Sequence, residues 1–231
     1  MGKNLFNLVL MPLMACALLV APLAAEATQI SIGLDTSALI GGTTAPYYIE
    51  FQFTNGDGLN NNSVTIGSFD FGGGSASGSP TLGGGVSGSL SSGLIMNDTL
   101  FFNYFYEAFI PGNFLSFMAT ISDNYVDPTP DQFSFAILNN SLIEVPTQGP
   151  GNEFVNVDLK SPLVINTFSG ISGTDTDPVV GAPSVQTVPE PGTLLLMLVP
   201  LVMCFRKELA GRFTFLVWSS PIRLIAKEVI L

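Results

Sequence analysis

The segment 47–53, YYIEFQF, sets Tyr47, Ile49, Phe51 and Phe53 on one side of an extended chain and Tyr48, Glu50 and Gln52 on the other. A period of two marks a half-buried strand, and Asn55-Gly56-Asp57-Gly58 behind it supplies a turn. Comparable runs of Phe, Ile, Val and Thr, bounded by Gly, Pro, Asn or Asp, occupy 29–35, 63–71, 98–110, 114–123, 131–138 and 153–159. No long helical period appears between them. Many short strands without crossover helices predict an all-β fold, an antiparallel β-sandwich of jelly-roll-like type spanning 28–168.

Two segments depart from this pattern. Residues 72–93 read GGGSASGSPTLGGGVSGSLSSG, too small and polar to repay their ordering entropy, which predicts a long flexible loop between strands. A phosphate cradle is excluded because no Gly-Lys-Ser/Thr follows. Residues 169–187 carry Gly, Ser, Thr, Asp and Pro with few large apolar side chains, which predicts a disordered stalk.

Both ends of the chain are apolar. Lys3, the run 5–21 and the small-x-small triplet Ala25-Glu26-Ala27 predict a signal peptide over 1–27, with an uncleaved anchor helix as the alternative. Leu13-Met14-Ala15-Cys16 loosely resembles a lipoprotein box, but apolar residues continue past Cys16. Near the other end stands Val188-Pro189-Glu190-Pro191, whose prolines hold the backbone extended and present Glu190 accessibly. The apolar run 193–205 follows, somewhat short of a bilayer span, and Arg206-Lys207 then sits where cytoplasmic cations stop transfer.

This order of turn, apolar run and basic pair closely resembles the PEP-CTERM sorting signal of Gram-negative bacteria, carried here by Val188, Pro189, Glu190, Pro191, Arg206 and Lys207. The resemblance implies export through the secretory translocon, an inner-membrane-anchored precursor, and processing near Pro-Glu-Pro by an exosortase. It further implies a mature form at the cell surface or outside it, associated with exopolysaccharide or biofilm. It supplies an address rather than an activity. Tails of this kind end soon after the basic pair, whereas this chain continues over 208–231. That extension reads either as a basic amphipathic segment on the inner membrane face or as a translated extension without a selected role, and Pro221 interrupts it.

Charge and residue usage narrow the chemistry. The formal net charge is −11, and Lys160 is the one cation between residues 28 and 187, a field that repels nucleic acid and anionic lipid. His is absent, and Cys16 and Cys204 lie in the terminal apolar segments. The body therefore has no Ser-His or Cys-His nucleophile arrangement, no thiol site and no disulfide. Paired carboxylates hydrolyse glycosides without His, but no spacing pairs Asp70, Glu107, Asp123, Glu144 and Glu153, so the chain is expected to be non-catalytic. Residues 122–131, SDNYVDPTPD, gather Asp123, Asn124, Asp127 and Asp131 in one loop. Their oxygens would suit Ca, the one cofactor considered, although the spacing is not that of an EF-hand and such residues are equally turn formers. Along 103–109, Tyr104, Tyr106 and Ala108 share one face and Asn103, Phe105, Glu107 and Phe109 the other, so neither face is cleanly polar; exposed rings would suit sugar stacking, but core packing is the default for Phe and the strand names no binding site. The sequence thus predicts an exported, non-catalytic surface or matrix protein. The alternatives are a carbohydrate- or Ca-binding module and, more remotely, a secreted hydrolase.

Overall fold

The computed structural model describes residues 27–122, 124–125, 128–172 and 178–188. The predicted signal segment up to Glu26 with Ala25, the tail with Pro189, Glu190, Pro191, Arg206 and Lys207, and the extension 208–231 lie outside the described residues, as do Asp123 and Asp127. The described chain forms strands β1 (Ala27–Asp35), β2 (Tyr47–Thr54), β3 (Ser63–Asp70), β4 (Ser75–Ala76), β5 (Thr81–Gly83), β6 (Gly85–Ser89) and β7 (Gly93–Asn97). After these come β8 (Phe102–Ile110), β9 (Phe114–Ser122), β10 (Gln132–Leu138), β11 (Val155–Asp158), β12 (Val164–Thr167) and β13 (Ser184–Val188). One short 3-10 turn, Ser37–Leu39, is the sole helical element among the described residues.

The strands pair antiparallel in two sheets. The first has the order β13-β1-β9-β3-β7-β6 and the second β12-β11-β10-β2-β8-β4, with β5 also on β8. The protein is all-β, and one apolar core draws on both sheets, an arrangement consistent with a β-sandwich. Phe51 stands at its centre. Its ring meets Phe117 at 5.2 Å and Phe69 at 6.3 Å from the first sheet, and Phe105, Phe133 and Phe135 at 5.9, 5.9 and 5.6 Å from its own. The inward residues of β2, Tyr47, Ile49, Phe51 and Phe53, are all fully buried, as the period-two pattern requires.

Two expectations are corrected. Residues 72–93 are not a structureless loop but carry β4, β5 and β6. Backbone pairing to β8 and β7 satisfies their N–H and C=O groups, which needs no apolar side chains. Gly88, at φ +105°, passes so close to β7 that a Cβ would strike the Gly93 carbonyl. Leu90 anchors the segment in the core, and its backbone N–H donates to Glu107 Oε2 at 2.8 Å. Nor are residues 169–187 a stalk throughout. Val180 is buried, its carbonyl accepts from Gly170 N–H at 2.7 Å, and β13 pairs with β1 in the register Gln29↔Val188 to Gly33↔Ser184. Val188, the first residue of the sorting motif, thereby closes an edge strand opposite the second residue of the expected mature chain.

Replacing 73–92 by a short Gly-Ser turn removes β6, β4 and β5 and leaves the buried Glu107 carboxylate without its donor. Urea denaturation should show a loss of about 3 kcal/mol or more. An unchanged midpoint would restore the loop reading.

Candidate functional site

The register that turns Phe51 inward turns Tyr48, Glu50, Gln52 and Thr54 to the outer face of the second sheet. Directly opposite them on β8 stand Ala108, Tyr106, Tyr104 and Phe102, and on β10 Leu138, Ala136, Ser134 and Gln132. The β8 face left open by the sequence is thereby decided: Asn103, Phe105, Glu107 and Phe109 are buried, and the tyrosines face out.

Asn103 and Glu107 sit inside because both find partners there. Asn103 donates to the carbonyls of Phe53 and Leu100 at 3.0 and 2.7 Å and accepts from the N–H of Gly85 at 2.9 Å, while Glu107 holds Leu90. A buried polar side chain with full pairing is tolerated where an unpaired one is not.

On the outer side the rings form a continuous row. Phe102 and Tyr104 lie nearly parallel with centroids 5.8 Å apart, Tyr104 and Tyr106 likewise at 6.3 Å, and Tyr48 meets Tyr106 edge-on at 6.1 Å. Tyr104 lies over β5, where a Cβ on Gly83 would fall inside its ring, so Gly83 makes room for it. Past Ala108 the face runs into an apolar hollow of about 400 Å³ bordered by Ile40, Pro46 and Ile110. The outer face of the first sheet is more polar, with Gln29, Ser31, Ser116, Thr120 and Thr65, although Met118, Ile95 and the exposed ring of Phe114 also lie on it.

Glu50 lies in the middle of the row, opposite Tyr106 and Ala136. Among the described residues its Oε2 is the one buried side-chain oxygen or nitrogen without a hydrogen-bond partner. Burial pushes its carboxyl above the usual range; the side chain of Gln52 opposes this and the nearby Glu144 adds to it.

The acidic residues singled out in the sequence fare differently. Asp131 is buried, and its Oδ1 accepts from the N–H groups of Gly56 and Asp57 at 2.7 and 3.4 Å while Oδ2 accepts from Asn62 Nδ2 at 3.0 Å. It is a cap that ties the turn after β2 to the start of β10. Asn124 reaches the same network through its N–H to Asn62 Oδ1 and its Nδ2 to the Asn61 carbonyl. Asp98 closes the network by accepting from the N–H groups of Asn61 and Asn62, and desolvation, reinforced by Asp131, raises its carboxyl as well. Among the described residues no group of three acidic, His or Cys side chains is placed to hold a metal, and Asp123 and Asp127 lie outside that set. Of the carboxylates weighed for hydrolysis, Glu153 caps Gly151 and Asp70 caps Gly72, so each serves its own turn.

No family model matches this chain, and no curated protein or solved structure matches it either. The functional reading therefore stands on geometry and on the sequence of the two ends. Among the described residues no helix is long and apolar enough to cross a membrane.

A carboxyl whose pKa is raised in the folded state binds more protons there than in the unfolded chain, so its stability contribution is lost as pH rises through the folded value. Glu50 and Asp98 both act in this direction. The unfolding free energy should decline from mildly acidic to neutral pH, and Glu50→Gln should flatten part of that decline and raise the melting temperature at neutral pH. A profile unaltered by Glu50→Gln would mean that Glu50 is not desolvated.

Proposed function

We propose that this is an exported, non-catalytic protein of the cell surface or extracellular matrix that binds polysaccharide along the outer face of the second sheet. The observation that carries the binding is the row on the outer face of the second sheet, Phe102 exposed and Tyr104, Tyr106 and Tyr48 half-buried, beside Glu50 and Gln52. Near-parallel rings spaced by about the length of a sugar unit offer stacking surfaces to the apolar faces of successive pyranoses, and the polar side chains between them meet hydroxyl groups. A run of partly exposed rings on one outer face is the kind of surface that serves as a contact site.

The address in this proposal comes from the ends of the chain: Lys3, the apolar run and Ala25-Glu26-Ala27 for export, and the Pro189-Glu190-Pro191 tail with Arg206-Lys207 for sorting by an exosortase. A jelly-roll-like sandwich delivered this way would reach exopolysaccharide with its aromatic row intact. Calcium is left out of the reading, since Asp131 already serves as a turn cap.

The test is affinity electrophoresis and calorimetry against a panel of neutral, amino and uronic acid polysaccharides. Tyr104→Ala combined with Tyr106→Ala should cost about 1 kcal/mol per ring, roughly a thirtyfold loss of affinity, with an unchanged far-ultraviolet spectrum. Wild-type affinity in the folded double variant would remove the site.

A further inference from the structure

Glu50 is a carboxyl without a counter-charge. Lys160 is the sole cation among the described residues, and it is held by Asp158 at 3.1 Å on another strand. The charge that acts on Glu50 is acidic: Glu144 bridges to Leu138, which itself pairs with Tyr48 on β2. Tyr106 faces Glu50 from β8 and Tyr48 precedes it by two on β2, their rings at 82° to one another. Gln52 beside it already offers the neutral hydrogen-bonding that sugar hydroxyls require. A carboxyl that is only 9 % exposed, with one oxygen unpartnered, offers something else: an acceptor beside two tyrosines whose ionisation no group of the folded chain assists. A carboxyl beside tyrosine rings suits a small cation, whose approach in turn favours the ionised form. Such a face discourages a uronic acid polymer, for which it holds no cation.

We infer that Glu50, with Tyr48 and Tyr106, forms a subsite for the ammonium group of a hexosamine that is not acetylated, within the polysaccharide that lies along the aromatic row. The inference rests on the polysaccharide-binding reading and adds the ligand's charge to it. The ammonium supplies the one charge the folded chain lacks at this point, and the sugar ring carrying it stacks on Tyr106.

Calorimetry of the exported, processed protein with three probes tests this: glucosamine hexasaccharide, its fully N-acetylated counterpart and glucose hexasaccharide. The amino probe should bind about tenfold more tightly than either neutral one. Glu50→Gln should abolish that preference, so that the amino and glucose hexasaccharides bind the variant alike. Because a polycation is attracted to any acidic protein, Asp35→Asn serves as the control: it removes one exposed charge from the other sheet and should keep the preference intact. Equal binding of all three probes to wild type, or a preference that survives Glu50→Gln, overturns the inference and leaves the polysaccharide reading standing. If none of the three binds, the inference falls, and the polysaccharide reading falls with it only if the wider panel also fails to bind.

Discussion

The strand parity of β2 is the constraint on which the rest of the protein depends. Phe51 contacts five other phenylalanine rings drawn from both sheets, and those contacts hold β2 in one register. Since successive side chains alternate, fixing Phe51 inward fixes Glu50 and Gln52 outward, and pairing with β8 then sets Tyr106 and Tyr104 beside them. A slip of one residue would bury the tyrosines and expose the phenylalanines, at a cost that a core of this size does not allow. The aromatic row on the surface is thus a consequence of the aromatic cluster beneath it, and both are written in the same heptapeptide, 47–53.

The large strands were legible because their apolar residues alternate: β3, β8, β9, β10 and β11 fall within the runs that the pattern marks, and β1 and β2 exceed theirs by two residues and one. The Gly-rich strands were not legible, because β4, β5 and β6 are held by backbone pairing and by close approach, which leave no periodic trace in side-chain type. That omission propagated. In the sequence Asn103 and Glu107 beside Phe105 and Phe109 leave neither face of β8 cleanly polar, and the partners that reconcile the two polar residues with burial, the N–H groups of Gly85 and Leu90, belong to the Gly-rich segment. Had the loop been read as strands, the outward direction of Tyr104 and Tyr106 would have followed. β13 escaped for a related reason, since Ser184, Gln186 and Thr187 on an edge strand need little burial.

The acidic residues show where composition stops being informative. Asp131, Asp98 and Asn62 form a buried network that satisfies turn N–H groups at one end of the sheets, a task Asp and Asn perform in many turns. Glu50 has the same residue chemistry and the opposite situation, with no donor for Oε2. Only the three-dimensional arrangement separates the two, because an orphaned group is defined by the neighbours it lacks. The sequence did point to the contrast in one respect: a body whose single cation is Lys160 has no means of neutralising a buried carboxyl from within.

Hydroxyl-radical footprinting of the mature protein, read by mass spectrometry with and without bound polysaccharide, addresses the parity of β2 and the surface it creates in one experiment. The account predicts labelling of Tyr48, Tyr104 and Tyr106 in the free protein, protection of all three on binding, and little labelling of Phe51, Phe105 and Phe117 in either state. Labelled phenylalanines, or tyrosines labelled equally with and without the polysaccharide, would contradict it.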